Sequence, residues 1–188
     1  MKPFKKFSFF IILIFLLKST NGFNQNIQET DSINLKLLSA ARDIMTSAKT
    51  CALITIDSEG RPRVRVMDPF SPENDFTVWF GTNAKSRKVE QIKTNPKVTL
   101  YYLEPNNSGY VMLHGLAQLV FDQAEKDKRW KTEWEAFYPN KEEDYLLIKI
   151  APLWLEVISY THGIIGDHET WEPPQVIFDY NLSKHIKY

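Results

Sequence analysis

The sequence WFGTNAKSRKVEQIKTNPKV, residues 79–98, carries most of the information about the fold. Aromatic and β-branched residues at 76–80 predict a strand, and the Gly-Thr-Asn at 81–83 is expected to end it. Residues 85–93 have the apolar spacing of a short helix, which Asn95-Pro96 would stop. Residues 97–103 then predict another strand. The stretch therefore encodes two strands joined by one short helix.

The first turn of this helix is rich in groups that bind phosphate. It begins near Ser86 and continues with Arg87 and Lys88. Free N–H groups and the positive end of the helix dipole attract an anion, and serine, arginine and lysine add hydrogen bonds and charge. The alternative is a solvated helix with ordinary surface charges. Cations beside a helix N-terminus oppose the dipole, however, so their accumulation here favours an anionic ligand.

The rest of the chain predicts strands joined in hairpin succession. A helix at 33–48 precedes a hairpin, whose strands 52–57 and 63–67 flank Gly60. Strand 110–121 has Gly115 as an expected bulge, and a helix at 123–136 would carry Trp130 and Trp134 on one face. Strands at 145–150 and 154–160 follow. These connections are too short for parallel crossovers, which predicts a mainly β (α+β) fold: an antiparallel barrel with an N-terminal helix and two inserted helices.

Composition excludes several classes of function. The 188 residues suit one domain, and 23 basic residues balance 23 acidic ones, so broad attraction to nucleic acid or anionic membrane is not expected. Cys51 is the only cysteine and opens an apolar run, which is typical of a buried, inert thiol. His162 and His168 are too far apart and too isolated to predict a metal site.

The first residues have the layout of a secretory signal peptide. Three lysines precede the apolar run 7–17, and a small polar stretch ends at Gly22. That run is too short to cross a bilayer, although an uncleaved anchor remains the alternative. We therefore expect an exported protein, periplasmic or secreted. The expected division is a signal peptide at 1–22, a leader at 23–32, a barrel domain at 33–160 and a tail at 161–188.

The order and spacing of these motifs resemble the pyridoxamine-phosphate-oxidase-like FMN-binding split barrels. The resemblance rests on residues 79–98, on GRPRVRVM at 60–67 and on VMLHGLA at 111–117, and it covers about residues 36–160. The early helix is closer to the general-stress-protein branch of that superfamily. The resemblance implies a split barrel that forms a homodimer, with FMN bound at the interface between protomers.

The resemblance also implies roles for individual residues. Arg63 corresponds to an arginine that binds the FMN phosphate, while the backbone of 64–67 would follow the isoalloxazine and Gly81-Thr82 would touch the flavin. Arg65 points away from its neighbours and is either surface charge or a second cation facing the ligand. Tyr110 takes the place of a glutamine that reaches the flavin, and Trp171 would close over the flavin or pin the tail. The expected cofactor-binding residues are Arg63, Val64, Arg65, Val66, Met67, Gly81, Thr82, Ser86, Arg87, Lys88, Tyr110 and Trp171.

Departures from the family pattern bear on the reaction. Asp68 stands where the oxidase has a lysine, and the oxidase's C-terminal Arg-x-His element is not recognisable. Pyridoxamine-phosphate oxidation is therefore not expected, and no catalytic residue is predicted. Two functions stay open: a flavin-dependent oxidoreductase of unknown substrate and a non-catalytic flavin-binding stress protein that acts as a carrier or sensor. A third alternative is the same barrel binding haem or a deazaflavin.

Overall fold

Seven strands form one antiparallel sheet within residues 31–178, which a computed structural model of the chain describes. Helix α1 covers 31–47. The remaining elements are β1 Cys51–Ile56, β2 Pro62–Met67, β3 Val78–Asn83, α2 Arg87–Thr94, β4 Lys97–Leu103, β5 Gly109–Val120, α3 Gln123–Lys128, a 3₁₀ turn Thr132–Trp134, α4 Lys141–Asp144, β6 Tyr145–Ser159 and β7 Gln175–Ile177. The antiparallel architecture predicted from the short connections is confirmed.

The sheet is open between its two edge strands. Its order is β2-β1-β4-β5-β6-β3, and β7 pairs with β6 beside that path. The edges β2 and β3 approach each other where Pro69 bridges Phe80 and the Phe70 amide donates to the Trp79 carbonyl at 2.9 Å. Beyond this point the two strands separate. The gap between them is called the split below.

Helix α1 packs on one face of the sheet. Its buried residues recur at the three- and four-residue spacing of an amphipathic helix. They share a core with inward-facing residues of β1, β4, β5 and β6, because alternate residues of a strand point to the same side. The buried helix residues are Leu37, Ala40, Ala41, Ile44 and Met45.

The other side of the sheet, called the outer face here, is apolar but less covered. Val64 and Val66 on β2 are 65% and 73% exposed. The strand register continues this face through Ile54, Tyr101 and Met112. Exposed contiguous apolar surface of this kind is typical of a surface that another protein covers.

Local signals located several elements correctly. The β1–β2 hairpin is confirmed, and Gly60 adopts φ = 76° in its turn. The bulge at Gly115 is also confirmed, because the β5–β6 register shifts between His114 and Gly115. Burial raises the pKa of the Cys51 thiol to about 12, in agreement with an inert side chain.

Three expectations were wrong. Gly81 does not end β3, which continues to Asn83 because residues 81–83 pair with β6. The helix expected at 123–136 stops at Lys128 and gives way to a 3₁₀ turn, so Trp130 and Trp134 do not share a helix. The strands expected at 145–150 and 154–160 are one continuous strand, β6.

The predicted signal peptide at 1–22 lies outside the described residues, as does the leader up to residue 30. Residues 31 and 32 are already helical, although the helix was expected from 33. Between residues 31 and 178, no helix has the length and apolarity needed to cross a bilayer. The tail forms turns and a short strand, β7, up to residue 178.

Candidate cofactor site

The split contains a recess of about 360 Å³, which is within the usual size of a small-molecule site. Both sheet edges, helix α2 and the segment after α3 contribute to it. Edge strands carry backbone groups that are unpaired on one side, so a ligand here would meet main-chain donors and acceptors as well as side chains. The lining residues are Val66, Met67, Asp68, Gly81, Thr82, Asn83, Lys88, Phe137 and Tyr138.

Two half-buried cations meet beside this recess without a carboxylate partner among the described residues. Arg65 donates to the Thr55 hydroxyl at 2.6 Å and to the Gln91 amide oxygen at 2.9 Å. Lys88 donates to the Thr82 hydroxyl at 2.9 Å. Hydroxyl and amide oxygens orient a cation but do not neutralise it. The charges of Arg65 and Lys88 therefore remain available to an anion.

The half-buried position of these two neighbouring cations lowers the pKa of both side chains. Burial, and secondly the charge of Arg65, lowers the pKa of Lys88. Burial also lowers the pKa of Arg65, and the charges of Arg87 and Arg63 add to the effect. Like charges held close together in a partly desolvated site are unfavourable in the ligand-free protein. An anion bound between them would remove that cost.

The N-terminus of α2 adds to the positive charge. Ser86 occupies the N-cap position but makes no capping hydrogen bond with its side chain. Its hydroxyl lies 3.3 Å from the Thr82 hydroxyl, so both point toward the same region as Lys88. Arg87 is exposed at the rim of a neighbouring recess of about 380 Å³, which Arg63 also lines. The predicted phosphate-binding residues of α2 are thus brought together with β3.

Arg63 and Arg65 occupy different environments. The guanidinium of Arg63 pairs with Asp57 at 2.8 Å, and Asp57 also pairs with Arg61. Desolvation would raise the pKa of Asp57, but hydrogen bonds from the Arg61 amide, from both guanidinium groups and from the Glu59 amide hold it below its usual range. Arg63 is therefore already neutralised, whereas Arg65 is half-buried and hydrogen-bonded, not a solvated surface charge. Arg65, and not Arg63, is thus the cation of β2 without an ion pair among the described residues.

Gly81 has a packing role that the sequence did not reveal. A Cβ at this position would lie 2.5 Å from Cζ3 of Trp134 and 2.8 Å from Cε2 of Tyr145. The absence of a side chain therefore lets Trp134 lie directly on β3. Gly81 and Thr82 line the recess, but they belong to a strand and not to the expected turn; their predicted contact with a flavin stays a prediction.

Tyr110 and Trp171 do not line the recess. Tyr110 stacks on Tyr101 with ring centroids 5.3 Å apart and donates to Glu156 at 3.2 Å, on the outer face. Trp171 is 85% exposed and has φ = 62° in a turn held by Asp167. The predicted roles of Tyr110 and Trp171 would need a second protomer.

Six residues of the site are absent from the set expected from the sequence: Asp68 and Asn83, which line the recess, and Thr55, Gln91, Phe137 and Tyr138. Thr55 is a polar residue at an inward position of an apolar strand, and Gln91 lies one helical turn after Arg87 on α2. These two positions could have been recognised from the sequence. No sequence signal pointed to Phe137 and Tyr138, because the segment that positions them was expected to be helical.

The sequence of the chain is similar to a known protein family and to a known bacterial protein. Residues 36–153 match the family described as pyridoxamine 5'-phosphate oxidase like. General stress protein 26 of Bacillus subtilis (strain 168) is 28% identical over 109 residues, which are 56% of this chain and 76% of that protein.

Two solved structures show the shared fold. General stress protein 26 from Bacillus anthracis str. Sterne has a TM-score of 0.60 at 24% identity, over 77% of this chain and 98% of that one. A pyridoxamine 5'-phosphate oxidase-related, FMN binding protein from Nostoc punctiforme has a TM-score of 0.52 at 17% identity, over 76% and 95% of the two chains. The sheet, its split and the sequence match together show that the chain belongs to the pyridoxamine 5'-phosphate oxidase-like family.

Proposed function

We propose that this protein binds FMN in the split between β2 and β3 and works as a flavin-dependent oxidoreductase. The phosphate would bind to Arg65, Lys88 and the first turn of α2, and the ring system would lie in the recess. The observation that carries this proposal is the pair of half-buried cations, Arg65 and Lys88, that lack a carboxylate partner in residues 31–178.

The charge balance of the site supports a phosphate monoester. Arg65, Lys88 and Arg87 have no acidic partner in the described part of the chain, while Arg63 shares Asp57 with Arg61. A phosphate would accept charge-assisted hydrogen bonds from these groups, which are stronger than bonds between neutral groups. A neutral ligand would leave the repulsion between these cations in place.

The FMN-binding relative from Nostoc punctiforme, which shares the fold, adds support for the choice of cofactor. FMN would supply hydride transfer, so the chain itself needs no acid–base pair. Its own residues would hold the phosphate, orient the ring and exclude water.

The proposal includes a homodimer formed through the outer face. Val64 and Val66 are exposed on this face, next to the strand edge that would contact the ring. Burying such apolar surface stabilises an interface by roughly 25 cal/mol per Å² before the costs of association. Tyr110 lies on the same face, and Trp171 precedes β7, whose Ile177 is also exposed there. A partner would bring both residues near the site.

A non-catalytic flavin carrier is the second candidate. Asp68, at the position where the oxidase has a lysine, is engaged by Lys131 at 2.7 Å. The recess itself is lined by few titratable groups: Asp68, Lys88 and Tyr138. Burial raises the pKa of Tyr138, which keeps it neutral. Anaerobic reduction of the bound flavin by a nicotinamide donor, followed by turnover with an acceptor, distinguishes the oxidoreductase from the carrier.

The binding proposal is tested by comparing FMN with riboflavin. Lys88→Met should weaken FMN by more than about tenfold, equivalent to about 1.4 kcal/mol, and leave riboflavin unchanged. Lys128→Met, an exposed change on α3, is the matched control. Flavin fluorescence titration measures both ligands. If the wild type binds neither flavin, or if Lys88→Met weakens both equally, the phosphate site is wrong.

A further inference from the structure

The segment 129–144, called the aromatic strap here, lies along one side of the split. Its rings form a cluster with the first residue of β6, and their centroids are 5.1–6.4 Å apart. Several are arranged edge to face, the geometry that aromatic pairs prefer. The strap is therefore anchored by packing although most of it is not helical. The cluster consists of Trp130, Trp134, Tyr138 and Tyr145.

Polar contacts tie the strap to both edges of the split. At its start, Arg129 lies over the Trp79 ring on β3 at 3.6 Å and pairs with Glu73 at 2.9 Å. Lys131 pairs with Asp68, directly after β2. These contacts connect the two edge strands through the strap. They fix its position relative to the recess.

Phe137 is the aromatic residue of the strap that does not belong to the ring cluster. Its amide donates to the Trp134 carbonyl at 2.9 Å, so its backbone is held in place. Its side chain is 71% exposed and lines the recess together with Thr82 and Lys88. The adjacent Tyr138 packs instead on Trp130 and Tyr145. Phe137 thus places an exposed aromatic ring, on a backbone held by a hydrogen bond, beside the oriented polar groups of Thr82 and Lys88.

We infer that Phe137 stacks on the planar ring of the bound ligand. This inference rests on the proposed flavin site and names a ring-binding residue within it. The recess has Lys88 for an anionic group and an aromatic face for a conjugated ring. A ligand that combines the two in one molecule would use both. Stacking contributes to affinity independently of the phosphate, because it acts on the ring.

Two flavins and matched variants separate stacking from phosphate binding. Phe137→Ala should weaken FMN and riboflavin by the same factor, about fivefold to tenfold, and increase the fluorescence of any bound flavin. Phe137→Trp should restore both affinities, because it replaces one aromatic face by another. Phe121→Ala is the control, since Phe121 is similarly exposed, at 68%, but does not line the recess.

The possible outcomes distinguish this inference from the proposed function. If Phe137→Ala binds both flavins like the wild type while Lys88→Met loses FMN, the stacking role is wrong and the phosphate site stands. If the wild type binds neither flavin, both proposals fail. Equal melting temperatures of Phe137→Ala and Phe121→Ala would show that a loss of affinity does not come from unfolding.

Discussion

The contact between Gly81 and the strap predicts a measurable cost for a single methyl group. In Gly81→Ala the added Cβ would lie 2.5 and 2.8 Å from two atoms of Trp134 and 2.8 Å from Tyr145. Both rings belong to a packed cluster and cannot simply rotate away. Overpacking of this kind costs about 1–3 kcal/mol of unfolding free energy. For a domain of this size that corresponds to a fall of about 2–12 °C in melting temperature.

The same substitution should reduce flavin affinity, because displacing Trp134 moves the strap that carries Phe137. Differential scanning fluorimetry and flavin titration of Gly81→Ala, Trp134→Phe and the double variant form a thermodynamic cycle. The smaller ring should relieve the clash, so the double variant is expected to be more stable than the sum of the single changes predicts. Strict additivity, or an unchanged melting temperature in Gly81→Ala, would refute the packing argument.

Four further outcomes are expected. In fluorescence titration, Arg65→Met should weaken the binding of FMN more than Arg63→Met does, because Arg63 is already neutralised by an ion pair. If Arg63→Met has the larger effect, Arg63 binds the phosphate, as the family resemblance implies. Because the pKa of Lys88 is lowered in the folded protein, the unfolded chain binds more protons than the folded protein at pH values just below the ordinary lysine pKa. Lys88 should therefore contribute stability that rises with pH there, opposite in sign to the contribution of the buried Cys51 thiol. The difference in unfolding free energy between the wild type and Lys88→Met, measured by denaturant unfolding, should accordingly increase with pH in this window. Val66→Asp should convert the proposed dimer to monomers in sedimentation velocity, and a monomeric wild type would exclude the dimer. Mass spectrometry of exported protein should show cleavage near Gly22, whereas an intact N-terminus would indicate an uncleaved anchor.

Local sequence signals were sufficient where neighbouring residues set the structure. The turn at Gly60, the short helix before Asn95 and the bulge at Gly115 were located correctly. Each depends on backbone preferences or on periodicity over a few residues. The match of several such motifs in order is also what indicated the family.

Local signals failed where a distant partner decided the outcome. Gly81 resembles a strand breaker, but pairing of residues 81–83 with β6 and the ring of Trp134 stabilise an extended backbone there. The residues after Lys128 have helical composition. Their aromatic side chains, however, gain more from packing around Tyr145 than from continuing the helix. Tertiary packing overrode propensity in both cases.

The sequence by itself determined the antiparallel architecture, the order of elements up to β5 and the concentration of cationic and hydroxyl side chains at the start of α2. Only the tertiary structure decided which of the two arginines on β2 lacks an ion pair, because Arg63 lies beside Asp57 whereas Arg65 lies beside the neutral Gln91. It also brought Phe137 to the recess, in a segment whose Lys131 pairs with Asp68, 63 residues away in the sequence. The periodicity of a sequence indicates which side chains of a strand or helix share a face, whereas long-range contacts determine which residues pack against that face.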